Sequence, residues 1–274
     1  MPAAPELDRL RARLAGLGAT VVAFSGGADS ALLAWAAHDV LGERALAVTA
    51  VSPSLPGDER DACRDLAEQW GMAWQEVATH ELDDPRYTRN DADRCFWCKD
   101  ALLTALGPLA TERGATVCLG VQLDDLGDHR PGQRAAAAHG VLAPLVAAGL
   151  SKAEVREASR RLGLRTADKP AAACLASRIA YGVQVTPARL SRVERAEALL
   201  RSFGLDQLRV RDHGDLARVE VPPEALAGLV EPERRARLVA GLRELGFTWV
   251  TLDLEGFRSG SMNATLGRPG GPRP

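Results

Sequence analysis

Thr20-Val21-Val22-Ala23-Phe24-Ser25-Gly26-Gly27-Ala28-Asp29-Ser30, followed by Ala31-Leu32-Leu33-Ala34-Trp35-Ala36-Ala37, decides the fold. The first five residues are an apolar run of strand length, two glycines make a turn, and the alanine- and leucine-rich stretch opens a helix. Adjacent glycines let the backbone take positive φ and come close to a ligand. The free amides at the helix N-terminus then point at whatever anion sits there. Ser25 and Ser30 add hydroxyls, and Gly26, Gly27 and Asp29 complete the expected nucleotide-binding set. The lysine of a Walker-type loop, G-x-x-x-x-G-K-[ST], is absent. Such a loop is expected to grip pyrophosphate without a lysine of its own, which suits cleavage between the α and β phosphates of ATP.

The string S-G-G-x-D-S resembles the PP-loop of the ATP pyrophosphatases. That superfamily adenylylates a substrate, releases pyrophosphate, and lets a nitrogen or sulfur nucleophile displace AMP. The plain alternative is a glycine-rich turn without a ligand.

Working outward, Arg44–Val51, Trp74–Ala78, Ala115–Gly120 and a short Gly140–Leu145 read as further strands, with helical patterns between them. Alternation of this kind predicts an α/β domain with a doubly wound parallel sheet, its ligand at the carboxyl ends of the strands. Ser151 and Glu154 fit a capping box opening a helix to about Leu162. Pro187 to Phe203 reads as a helix, Leu208–Arg211 and Leu216–Val221 as a hairpin, 224–245 as helical and Phe247–Leu254 as a last strand. These make a smaller α+β C-terminal domain. The expected division is residues 1–166 for ATP binding and 167–274 for substrate and sulfur transfer, with a disordered tail from about 267.

The chain has 274 residues, 46% hydrophobic and 26% charged, with a net charge of −2. That balance gives no pull toward nucleic acid. No apolar run reaches membrane-spanning length, and the first residues lack a signal-peptide pattern, so the reading is cytoplasmic. Five cysteines in a chain this long are catalytic, metal-bound or buried thiols rather than a disulfide framework.

Arg94-Cys95-Phe96-Trp97-Cys98-Lys99 places two thiols where they can meet one metal or each other, with basic neighbours that favour thiolate. Two buried apolar thiols are the plain reading. Cys174 stands among small residues, with Lys169, Ser177 and Arg178 close in sequence, as in a site that activates a nucleophilic thiol; alone it would pack in a core. Cys63 and Cys118 read as core. Period-2 geometry puts Arg209 with Arg211 and Arg218 with Glu220, either an ordinary charged face or an anion platform. Glu197 lies on the preceding helix and Arg258 in a glycine-serine loop. Gly120 to Gly132 follows a strand directly, and its Asp124, Asp125 and Asp128 either hold Mg²⁺ against ATP phosphates or cap a helix.

These stretches together resemble the LarE family of the PP-loop superfamily. The resemblance rests on S-G-G-A-D-S at 25–30, R-C-F-W-C-K at 94–99, D-D-L-G-D-H-R-P-G at 124–132 and D-K-P-A-A-A-C-L-A-S-R at 168–178. It continues through R-V-R-D-H-G-D-L-A-R-V-E-V at 209–221 and G-F-R-S-G-S-M-N at 256–263. It implies an adenine nucleotide α-hydrolase-like fold and an ATP-dependent sulfur transferase acting on pyridinium-3,5-biscarboxylic acid mononucleotide in nickel-pincer cofactor biosynthesis. It implies Cys174 as the sulfur carrier, Ser177, Arg178, Arg209 and Arg258 around an anionic substrate, and Arg211, Glu197 and Glu220 shaping the pocket with a divalent metal. Trp97 would stack on a flat ring. Sulfur would come from Cys174 itself or from a [4Fe–4S] cluster on Cys95, Cys98 and Cys174. Relatives suggest a homo-oligomer, a hexamer among the options. A PP-loop tRNA thiolase and a non-catalytic nucleotide-binding module are the competing readings.

Overall fold

Four short apolar segments, β1 (Thr20–Ala23), β2 (Ala45–Val51), β3 (Trp74–Ala78) and β4 (Thr116–Cys118), pair in parallel in the order β3-β2-β1-β4. The computed structural model describes residues 5–127, 131–170, 173–258 and 260–262; the expected tail from about 267 and Asp128 lie outside them. The helices here are α1 (Pro5–Ala15), α2 (Ala28–Leu41), α3 (Gly57–Trp70), the single turn α4 (Pro85–Thr88), α5 (Arg94–Glu112), α6 (Pro131–Ala138), α7 (Pro144–Ala147) and α8 (Lys152–Arg161).

Strand alternation splits the core between the two faces of the sheet. Val22, Ala45, Ala47 and Cys118 join α1, α2, α3 and α8 on one side, with Cys63 packed among them. Val21, Leu46 and Val48 meet Leu103, Leu106 and Ala110 of α5 on the other. Covering of both faces by helices is what an all-parallel sheet requires. The Ser151–Glu154 capping box forms as expected, both halves of it present. The expected fifth strand does not form. Leu142 makes one parallel bridge to Cys118, and Pro144 then starts α7 by setting a helical φ and removing a strand donor.

By contact the chain divides into two units, residues 1–80 with 95–172 and residues 81–94 with 173 onward. The second unit holds α9 (Pro187–Arg201), β5 (Arg209–Asp212), β6 (Leu216–Glu220), α10 (Leu226–Leu229), α11 (Pro232–Glu244) and β7 (Trp249–Leu252). β5 and β6 pair antiparallel, and β7 adds to β6 in parallel. Val210, Ala217 and Val219 turn one face of this sheet onto Ala196, Leu200, Leu238 and Leu242 of α9 and α11.

The inserted segment 81–94 is tied into that unit by Asn90 and Arg94 and by two backbone bonds, Gly182 N to Asn90 O at 3.0 Å and Val185 N to Thr88 O at 2.9 Å. Asn90 is fully buried at φ 60°, a conformation asparagine tolerates better than most residues. Its amide donates to the carbonyls of Ile179 (3.2 Å), Ala180 (2.8 Å) and Val183 (2.8 Å), and its oxygen accepts from Arg94. Arg94 in turn donates to Ala176 O at 2.9 Å. No helix among the described residues is long and apolar enough to cross a membrane.

Asn90→Ala strands these buried groups. It is expected to destabilise the second unit by about 3 kcal/mol, read as a lower urea midpoint at unchanged slope.

Candidate active site

The first candidate site stands at the carboxyl end of β1, beside β4, where the strand order reverses. Phe24 extends the strand by donating to Val48 O, and its own carbonyl accepts from Thr49 Oγ1 at 2.8 Å. Gly26 then takes φ 66°, with Cys63 beneath it: a Cβ there would lie 2.9 Å from Cys63 Sγ. Gly27 is the N-cap of α2 and has no side chain to satisfy the helix amides, so the first-turn N–H groups are left for a ligand. Ser30 Oγ donates to Gly27 O at 3.2 Å, accepts from Ser25 N at 3.2 Å and lies 3.1 Å from Ser25 Oγ, which holds the loop in shape. Gly120, just past β4, closes the other side. A Cβ on it would sit 2.8 Å from Ser30 N and 2.9 Å from Ser30 Cα.

These walls bound a cavity of about 220 Å³, which Ser25, Gly27, Asp29, Ser30, Lys99 and Gly120 help to line. That is less than the roughly 300–1,000 Å³ of a full ligand pocket, so a nucleotide seated on the loop would extend out of it. Apolar side chains of Val48, Leu55, Leu102 and Val121 offer a surface for a base.

The loop carries no lysine, yet lysines surround it. Lys152 Nζ binds both oxygens of Asp29, at 2.8 and 2.6 Å, from 123 residues away. Lys169 Nζ donates to Gly26 O at 3.2 Å and to Glu59 at 2.6 Å, from 143 residues beyond the loop. Half-buried Lys99 lines the cavity; burial pulls its amine below the usual lysine range, with the Cys98 and Cys95 thiols acting against that. Lys99 therefore serves the cavity as well as the thiols. Sequence spacing held no signal for the lysines at 152 and 169.

Asp124 and Asp125 are held by backbone donors. Asp124 accepts from the first-turn amide N–H of α8 at Lys152, 2.5 Å away, and Asp125 from Gln122 N at 3.2 Å. Cys95 is exposed and Cys98 half-buried, one turn apart at the start of α5. Arg94, expected to favour their thiolates, instead points into Asn90 and Ala176. Trp97 packs edge-on against Phe96, ring centres 4.8 Å apart. Burial pushes the Cys118 thiol up to about 12 and raises that of Cys63, as suits core thiols.

The second candidate site is the polar face of the second unit's sheet. Register sets Arg209 opposite Glu220 and Arg211 opposite Arg218, so all four share one face. Glu220, fully buried, accepts from Arg211 at 2.7 Å, from Arg218 at 3.0 Å and from Ser261 Oγ at 2.8 Å. Glu197, also buried, pairs with Arg178 at 3.0 Å and accepts from Val210 N at 3.2 Å. Both carboxylates expected as metal ligands are thus already matched with arginines. Among the described residues Arg211 Nε is buried without an acceptor. Arg209 is pushed down to about 10, by burial first and then by Arg178, with Glu197 opposing and Arg211 and Arg201 adding. A face so rich in guanidinium groups suits a phosphate or carboxylate.

Cys174, half-buried, precedes a short 3₁₀ turn, Leu175–Arg178. The Ser177 hydroxyl donates to Cys174 O at 2.7 Å. Arg258, expected beside an anion, lies half-exposed, 2.5 Å from Glu255 and 3.9 Å from Asp253; its neighbours Ser259 and Asn263 lie outside the described residues.

No family model matches the chain. It is 45% identical over 262 residues to an uncharacterized protein of Synechocystis, covering 95% of this chain and 98% of that protein. It is 39% identical over 261 residues to the pyridinium-3,5-bisthiocarboxylic acid mononucleotide synthase of Lactiplantibacillus plantarum, covering 94% of this chain and 93% of that enzyme. An uncharacterized protein of Methanocaldococcus jannaschii matches at 23% over 240 residues.

Gly120→Ala drives a methyl group into backbone that no rotamer change can move. It is expected to weaken ATP binding at least about tenfold, close to 1.4 kcal/mol, by calorimetry. Lys99→Met removes a cation from the cavity wall and is expected to weaken ATP more than adenosine in the same titration.

Proposed function

The chain belongs to the LarE family, that of the pyridinium-3,5-bisthiocarboxylic acid mononucleotide synthases, and on that premise we propose that it is an ATP-dependent sulfur transferase making a thiocarboxylate of a pyridinium mononucleotide. The supporting observation is that the 39% identity runs over 261 residues and so through both units.

The steps follow from the residues. A carboxylate of pyridinium-3,5-biscarboxylic acid mononucleotide attacks the α-phosphorus of ATP. Pyrophosphate leaves while held on the amides of Gly27 to Ser30, with Lys99 facing its charge. Asp124 and Asp125, just past β4, would hold Mg²⁺, which would offset charge on the phosphate oxygens. Arg209 and Arg211 grip the substrate's phosphate. The Cys174 thiolate then displaces AMP and forms a thioester. Loss of the α-proton and cleavage of the Cβ–S bond release the thiocarboxylate and leave dehydroalanine, so each protein molecule acts once.

An iron–sulfur cluster on Cys95, Cys98 and Cys174 is the competing sulfur source.

Anaerobic incubation with ATP, Mg²⁺ and the biscarboxylate nucleotide is expected to release pyrophosphate and form thiocarboxylate, with Cys174 losing the mass of H₂S. Cys174→Ser is expected to bind ATP normally and make no thiocarboxylate. Thiocarboxylate formed with Cys174 unchanged in mass would transfer the sulfur source to a cluster, and absence of pyrophosphate would reject the activity.

A further inference from the structure

The Cys174 carbonyl oxygen receives three donors. Ser177 N, at 3.0 Å, makes the ordinary bond of the 3₁₀ turn. The other two come from side chains, Ser177 Oγ at 2.7 Å and Arg178 Nη1 at 3.0 Å. Arg178 Nη1 also donates to Ala173 O and to Ser177 Oγ at 3.2 Å. Its guanidinium is buried and fixed by Glu197, whose carboxylate is 1% exposed. A turn of this size needs one bond to that oxygen. Two further donors, one of them a fixed cation, exceed what the turn needs and are well matched to an oxygen that becomes negative.

We propose that Ser177 and Arg178 are catalytic residues that stabilise an enolate on the carbonyl of Cys174 itself. The inference rests on the self-sacrificing reading above and names the groups that make its last step possible. The α-hydrogen of a peptide cysteine is a very weak acid. When it is removed the electron pair delocalises onto the carbonyl oxygen, where Ser177 Oγ–H, Ser177 N–H and Arg178 wait. The proton passes to solvent, which reaches half-buried Cys174. The enolate's electron pair then forms the Cα=Cβ bond, and the Cβ–S bond breaks with its pair leaving on sulfur as thiocarboxylate. No redox partner is required. Ser177 and Arg178 thus act on the protein's own main chain rather than on the substrate anion.

The test is single-turnover rapid quench with ATP, Mg²⁺ and the biscarboxylate nucleotide, reading pyrophosphate and intact protein mass together. In Ser177→Ala, pyrophosphate release is expected at the wild-type rate, the acyl-nucleotide thioester on Cys174 accumulates, and dehydroalanine forms about 100-fold more slowly, the usual loss for one oxyanion donor. Protein carrying α-deuterated cysteine is expected to show a primary isotope effect on dehydroalanine formation in that variant. Arg178→Lys is expected to act in the same direction; since Arg178 is buried against Glu197, Ser177→Ala carries the test if that variant does not fold. Dehydroalanine formed by Ser177→Ala at the wild-type rate overturns the proposal. So does a parallel fall in pyrophosphate release with no thioester, which would make Ser177 a binding group only. Wild-type thiocarboxylate with an intact Cys174 defeats the self-sacrificing reading and this inference with it. A wild type that releases no pyrophosphate defeats the functional reading itself.

Discussion

No side chain can stand between Gly120 and the first turn of α2. The end of β4 approaches Ser30 so closely that a single methyl group would meet backbone at 2.8 Å. This contact fixes how far apart the ends of β1 and β4 can be, and so the width of the crevice at the strand-order reversal. The same crowding recurs at Gly26, which rests on Cys63. The loop is therefore clamped from both sides by glycine contacts, with its amides held at the cavity. Such preorganised dipoles need no reorganisation when charge arrives.

Much of this was legible in the chain. The run from Thr20 to Ser30 contains its own strand, turn and helix start, so the loop followed from local rules alone. The hairpin was readable strand by strand, since a period of two pairs Arg209 with Arg211 and Arg218 with Glu220, while the register that brings all four onto one face came from the structure. Gly120 was found through its place after a strand, although the reason for glycine lies in Ser30, 90 residues earlier in the chain.

What escaped the sequence shares one physical character: each missed feature depends on a partner far along the chain. Lys152 and Lys169 reach the loop only through tertiary packing. Arg94 read as a neighbour of thiols, yet buried acceptors at Asn90 and Ala176 claim it. Segment 81–94 belongs with residues more than 80 positions later because Asn90 collects three of their carbonyls, Arg94 a fourth, and Gly182 and Val185 donate back to its main chain. The apolar run at 140–145 looked like a strand, and Pro144 reduced it to a single bridge.

The arginine face has a further consequence. Arg209 holds its proton less firmly than an ordinary guanidinium, since it is buried among Arg178, Arg211 and Arg201. It remains charged at neutral pH, and Glu197 and Glu220 offset only part of the positive charge of the four arginines on this face. An incoming anion offsets the remainder in proportion to the charge it brings. A doubly charged phosphate monoester gains from this about twice as much as a singly charged carboxylate gripped by the same forks. The face therefore favours the more highly charged of two anions before shape is consulted.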